Sequence, residues 1–420
     1  MGVTSISIER VEARWVSKWQ SVTRLPRAWL IGAFAGCALY AGGVALFTTN
    51  PLHRLWGVAG ACAYLLAAFV AWLWRTRGGI DMALAAVLCG AVAVPLVWLA
   101  WHGQSQPEVT VVARSADTLI HHGTPYKSTE ELAATTNPNA YNPYLPLMAV
   151  FGLPQALAGQ GTLSDPRVWF GLVFVVVFAI ALRVGGAKDY LRWALLVTAS
   201  PVIAFELAVG GTDVPMVAFM CLGFAFLWRS RGEIAAGLAL GIASSMKATA
   251  WPALAVAFAL LYARDGKRAA WRFTITALAV MVACVGPFAV TKPGSLVKNT
   301  VLFPLGLASV KSQADSPLLG HLIADTWPAG HSVVVALLIL SGVGIAVSLV
   351  VRPPKDVPAA IIRLVIGLTL MFVLAPSTRF GYFIYPLALV LWLIITTAGR
   401  RAVADQSPAA PPDVAVVASG

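Results

Sequence analysis

Twelve stretches of apolar sequence dominate this chain, near residues 28–48, 55–74, 80–101, 167–184, 190–208, 214–229, 233–249, 251–264, 270–290, 331–351, 359–376 and 380–398. A helix needs about 20 mostly apolar residues to cross a bilayer, and most of these runs approach that length. Charged residues make up 11% of the chain, against about 25% in soluble domains, and the mean hydropathy is +0.78. The expected fold is therefore an all-α polytopic membrane protein of about twelve transmembrane helices. A net charge of +12 would point to nucleic acid in a soluble protein. In this chain loop bias explains it better, and no nucleic-acid partner is expected. Cys37, Cys62, Cys89, Cys221 and Cys284 lie inside apolar runs without C-x-x-C spacing, so they read as small core residues.

Orientation follows from the cations. Residues 1–27 carry Arg10, Arg14, Lys18, Arg24 and Arg27 and read as a cytoplasmic arm ahead of a first span. A cleavable signal would have a shorter apolar core and a small-residue cleavage site. With an even number of spans both ends lie inside, and residues 399–420, rich in Pro and Ala, are expected to be a disordered cytoplasmic tail. The transmembrane domain between them covers 28–398. This threading puts 21 of the 30 Lys and Arg on the cytoplasmic side, as the positive-inside rule requires. It requires the proline-punctured run 144–159 to lie along, or dip into, the outer face without crossing. Two large outer loops result, 102–166 and 291–330. The outer cations are Arg54, Arg114, Lys127, Arg167, Lys247, Lys292, Lys298, Lys311 and Arg379. Cations on the disfavoured face suit an anionic ligand or, equally, lipid headgroups.

The first outer loop opens with PEVTVVARSADTLIHHGTPY, residues 107–126. Val109, Val112, Ala116, Leu119 and Ile120 recur at helical spacing, with Thr110, Arg114, Asp117 and His121 opposite, which predicts an interfacial amphipathic helix. Pro107 suits its first position and Gly123 its stop. Glu108 then stands at the membrane exit. It complements the helix dipole there, and a carboxylate half-buried at that boundary is also a candidate general base. Asp117 falls about half a turn away round the helix, which argues against a close carboxylate pair. His121 and His122 face different ways, unlike a histidine zinc pair spaced four apart, so no metal site is expected.

The pattern from Glu108 through Arg114-Ser115-Ala116 to Gly123-Thr124-Pro125-Tyr126, followed by Tyr141-Asn142-Pro143-Tyr144-Leu145-Pro146-Leu147, resembles the first outer loop of GT-C membrane glycosyltransferases. More narrowly, it is similar to glycosyltransferase family 87, polyprenol-phosphate-mannose-dependent mannosyltransferases common in actinobacteria. Later segments agree: Gly210-Gly211-Thr212-Asp213 resembles the family's polar turn, Arg229 to Lys247 before Trp251-Pro252 its small-residue span, and Ser377-Thr378-Arg379-Phe380 with Tyr382, Tyr385 and Pro386 its closing segment. The likeness runs over roughly 80–398 and leaves 28–79 as an added hairpin. One departure is that Glu108 stands where the family usually has Asp.

The resemblance implies a multi-pass enzyme of the cytoplasmic membrane with its active site on the extracytoplasmic face. It implies direct, inverting transfer of a sugar, mannose first, from a polyprenyl-phosphate donor to a glycan, glycolipid or protein acceptor, with no metal or other cofactor. Glu108 is then the base, and Arg379, Lys247 and Arg167 are the candidates for the donor phosphate. Asp213, Glu206, Tyr141, Tyr144 and Tyr382 are candidate substrate contacts. Each also has a plainer role: snorkelling for Lys247, helix capping for Asp213, an interfacial aromatic belt for the tyrosines. Glu206 is an intramembrane acid, functional by default. The rival reading is a lipid-linked-sugar flippase or transporter. Internal repeats and midplane charges would mark it, and the polar residues here gather at the outer ends of the runs.

Overall fold

The computed structural model describes residues 27–404 apart from 75, 311–313 and 315. The expected arm up to residue 26, Lys311 and the tail beyond 404 lie outside the described residues. Every apolar run is helical. In chain order come α1 (Arg27–Phe47), α2 (Pro51–Leu73) and α3, which runs from Arg77–Val87 through a π-helical turn at Leu88–Ala93 into Val94–Trp101. The first large loop holds α4 (Pro107–His122), α5 (Thr129–Ala133), a 3-10 segment Pro146–Gly152 and α6 (Leu153–Ala158). Then follow α7 (Pro166–Val184), α8 (Tyr190–Thr198), α9 (Pro201–Val209), α10 (Val214–Leu227), α11 (Glu233–Met246), α12 (Trp251–Arg264) and α13 (Lys267–Thr291). The second large loop carries α14 (Pro293–Val297) and α15 (Leu319–Thr326), and α16 (Gly330–Val351), α17 (Val357–Leu374) and α18 (Ile384–Ala404) complete the described residues.

Eight helices among the described residues are long and apolar enough to cross a membrane, or nine if α8 and α9 count as one bent span. That pair turns through 68° at its break, where Pro201 has no N–H to continue the ladder. The other three of the twelve expected spans, α10, α11 and α12, have only 14 residues each. At 1.5 Å per residue such a helix is about 21 Å long, short of a hydrocarbon core of about 30 Å. The turns before α10 and after α11 are covered by the rest of the bundle: Gly210, Gly211, Thr212 and Met246 are all buried. The run 144–159 forms no span. It is too short to cross, as expected, and its two short helical pieces pack against α4. The last helix continues past residue 398 into the segment expected to be disordered, because Arg400 hydrogen-bonds Gly185 O at 2.7 Å and stacks over Trp228 at 4.6 Å.

The core forms where α7 meets α10 and α18: Phe170, Phe174, Phe178, Met216, Met220, Phe224 and Trp392 are fully buried in one cluster. The hairpin α1–α2 packs through a second cluster onto α3 and α9. There Trp56 donates to Ala91 O in the π turn at 2.8 Å, and Tyr64 donates to Ala199 O at 2.7 Å. In α16 only 6% of the apolar window is buried, leaving its flank to lipid. This is a multi-pass membrane protein.

The two large loops, 102–166 and 291–330, are packed together. Asn299, fully buried, accepts from Asn142 N at 2.8 Å, and Lys298 Nζ donates to Thr129 O at 3.0 Å. Leu145 N donates to Met246 O at 2.8 Å, tying the first loop to the end of α11. The second loop reaches across to the segment before α18: Thr378 N donates to Ala314 O at 2.9 Å, and Ser316 N to Thr378 O at 3.0 Å.

Candidate active site

α4 begins and ends where its sequence requires: Pro107 opens it, and Gly123, at φ 67°, closes it in a left-handed turn that a residue without Cβ adopts freely. Its buried face is Val109, Val111, Val112, Ser115 and Ala116. Ile120, expected on that face, is exposed, and Arg114, expected in solvent, donates to Ala140 O at 3.2 Å. The stripe is rotated because the 3-10 segment covers α4 around Val112 and Ala116. Asp117 and His121 are exposed and meet each other at 3.3 Å.

Glu108, in the first turn of α4, pairs with Arg379. The side chains are 18% and 31% exposed, and Glu108 Oε2 is buried without a hydrogen-bond partner. The backbone of Gln106, the residue before Pro107, is pinned by donation from its N–H to Val209 O at 2.8 Å. Arg379 is placed by the bonds that hold Thr378 to the second loop, and by Thr378 Oγ1 donating to Phe372 O at 2.9 Å.

A second pair lies at the buried turns. Lys247 Nζ meets Asp213 at 2.7 and 3.0 Å, and it sits 4.7 Å from the Tyr382 ring centroid and 5.5 Å from that of Tyr144. Lys247 is extended and ends α11, and Asp213 precedes α10. The Tyr144 hydroxyl meets Thr212 Oγ1 at 3.1 Å, and the Tyr385 hydroxyl meets Thr249 Oγ1 at 2.6 Å. Burial, then the charge of Asp213, push the Tyr144 phenol well above its usual range, so it serves as a hydrogen-bonding group and not as a base.

Glu206 lies close to Asp213 and Lys247 and against the segment that carries Arg379. Its carboxylate accepts from the Gly211 N–H and lies against Gly381, where a Cβ would collide with it. The structure thus brings together Glu108, Arg379, Lys247, Asp213, Glu206, Tyr144 and Tyr382: three acids, two cations and two phenol rings.

Two of the predicted residues are elsewhere. Arg167, expected at the donor phosphate, is fully buried and engaged: Nε and Nη2 donate to Asp165 at 2.9 and 2.7 Å, and Nη1 to Ala208 O at 2.8 Å. Tyr141, expected against sugar, stacks on Phe303 with centroids 4.5 Å apart inside the small core between the loops. Sequence reasoning missed His53 and Gln106. His53 Nε2 meets Gln106 Nε2 at 2.8 Å, its ring lies edge-on to Phe205 at 4.9 Å, and the charge of Arg379 reaches it. The hairpin therefore contributes to the rim of the site. Its one sequence signal was a histidine at the outer end of a span. Among the described residues no three His, Cys, Asp or Glu side chains gather as metal ligands would.

Paired acids and cations at the ends of apolar helices can move a proton and hold a charged group. No curated protein and no solved structure matches the chain. A family model does match, that of glycosyltransferase family 87, over residues 142–376. Tyr144, Glu206, Asp213 and Lys247 lie within that range, whereas the hairpin, Glu108 and Arg379 lie outside it. Since the match spans more than half of the 420 residues, this chain belongs to glycosyltransferase family 87 and is a membrane glycosyltransferase.

Proposed function

We propose that the protein moves a sugar, mannose, from a polyprenyl-phosphate donor to a hydroxyl acceptor, with inversion, on the outer face of the cytoplasmic membrane. The pairing of Glu108 with Arg379 carries this reading. The two residues supply, in one site, a base and a phosphate-binding cation, the two groups that a single displacement uses on the two faces of the sugar. The acceptor oxygen bonds to the anomeric carbon while Glu108 takes its proton. On the opposite face of that carbon the bond to the phosphate oxygen breaks, and its electron pair leaves with the polyprenyl phosphate. Arg379 meets that charge with a planar fork, and Lys247 adds a second cation. A phosphate that engages Arg379 competes with Glu108 for the guanidinium, so donor binding frees the carboxylate to act as base. The outer placement rests on the distribution of Lys and Arg. No metal is invoked, because the two cations carry the phosphate charge.

Membranes containing the protein, incubated with labelled polyprenyl-phosphate-mannose, should pass mannose to endogenous acceptors. In Glu108→Gln the rate should drop by about 10²- to 10⁴-fold, the usual contribution of a general base. Transfer at the wild-type rate in that variant would sink the base assignment. Absence of transfer from every polyprenyl-phosphate sugar tried would sink the donor assignment and favour a flippase.

A further inference from the structure

A separate cavity of about 380 Å³ lies on another flank of α4, between the end of α3, α6 and the loop leading into α7. That volume falls within the roughly 300–1,000 Å³ of small-molecule sites. Its wall is polar but uncharged, with Ser105, Thr110, Gln155, Gln160 and Thr162 lining it beside the Trp101 ring, which is 79% exposed. The only charges are at the floor, where Asp165 and Arg167 already hold each other through two hydrogen bonds, the third arm of the guanidinium going to Ala208 O. An anion would have to displace a carboxylate from a formed bidentate pair, and a cation would have to displace a guanidinium. Amide and hydroxyl groups that both donate and accept, set beside an aromatic face, match a ligand that carries many hydroxyls on an apolar ring face. Val109 and Thr110, which line the cavity, follow Glu108 in the first turns of α4, and helical spacing turns them to faces other than that of Glu108, so the cavity is on the same helix as the base but apart from it.

We propose that this cavity binds a neutral hexose ring of the acceptor, held apart from the hydroxyl that reacts at Glu108. The cavity as a sugar site stands on its lining alone, and its role as acceptor site rests on the transfer reaction above. The test uses the purified full-length protein in nanodiscs, with methyl α-mannoside as probe and saturation-transfer NMR as readout. Wild type, Glu108→Gln and Tyr382→Leu should give the same signal. The double variant Thr110→Val with Gln155→Leu, close in volume but stripped of polar atoms, should bind about ten-fold more weakly, the worth of one or two hydrogen bonds. Its melting temperature is recorded alongside, and the single variants replace it if it is unfolded. The site is overturned by no signal in wild type, by a signal that survives in the cavity variants, by one that vanishes in Tyr382→Leu, or by one displaced by inorganic phosphate. Sugar binding lost in the cavity variants with no transfer by wild type supports the cavity and overturns the reaction. Transfer whose acceptor KM is unmoved in those variants overturns the acceptor role.

Discussion

At Gly381 an added methyl group has nowhere to go but into the Glu206 carboxylate. Gly381→Ala should cost about 1–3 kcal/mol, the usual range for overpacking, and should lower transfer by shifting Tyr382, its chain neighbour. Removing the obstacle should reverse the loss: Gly381→Ala with Glu206→Ala should melt above the sum of the single changes, and strict additivity in that cycle would show that the two residues do not press on one another. At this scale the sequence was partly readable. Glu108, Asp213 and Lys247 stood out because they are charged residues at the edges of apolar runs. Arg167 stood out for the same reason and serves a different end. Its carboxylate partner, Asp165, lies only two residues away and saturates it.

At the scale of elements, the roof over the site depends on one buried amide. Asn299 accepts from the Asn142 N–H and donates to Ser295 O at 2.8 Å, so it joins the first loop to α14. Asn299→Leu orphans a buried backbone donor, at a cost of about 1–3 kcal/mol, and should loosen both loops together. Limited proteolysis should then cut residues 127–140 faster than in wild type, and transfer should fall although Asn299 touches none of the paired charges. An unchanged cleavage rate would mean that the loops do not depend on this bond. The ends of α4 were legible because Pro107 and Gly123 act on their own backbone. The 68° bend between α8 and α9 and the shortness of α10 to α12 were not read from the runs. Hydropathy records that a segment is apolar and does not record where packing turns it.

For the whole molecule, the bias of Lys and Arg toward one set of connections predicts which way the bundle faces. In a background without the native cysteines, Asp117→Cys in α4 should react with a membrane-impermeant maleimide on intact cells. Arg268→Cys, at the start of α13, should react only after permeabilisation. The reverse pattern would place the paired charges on the cytoplasmic side and remove the outer-face assignment. The sequence by itself determined that this chain is a bundle of apolar helices with polar residues at their ends. A segment in lipid must satisfy its own backbone hydrogen bonds, and helix ends are set by residues close by in the chain. The tertiary structure alone decided which charges meet: Glu108 with Arg379, Asp213 with Lys247, and Arg167 turned away onto Asp165. The first two pairings join distant parts of the chain, and ion pairs form only at a few ångströms through space. The packing of α10 against α11 sets the distance for Asp213 and Lys247, and the docking of the large loops that carry Glu108 and hold the segment of Arg379 sets it for that pair.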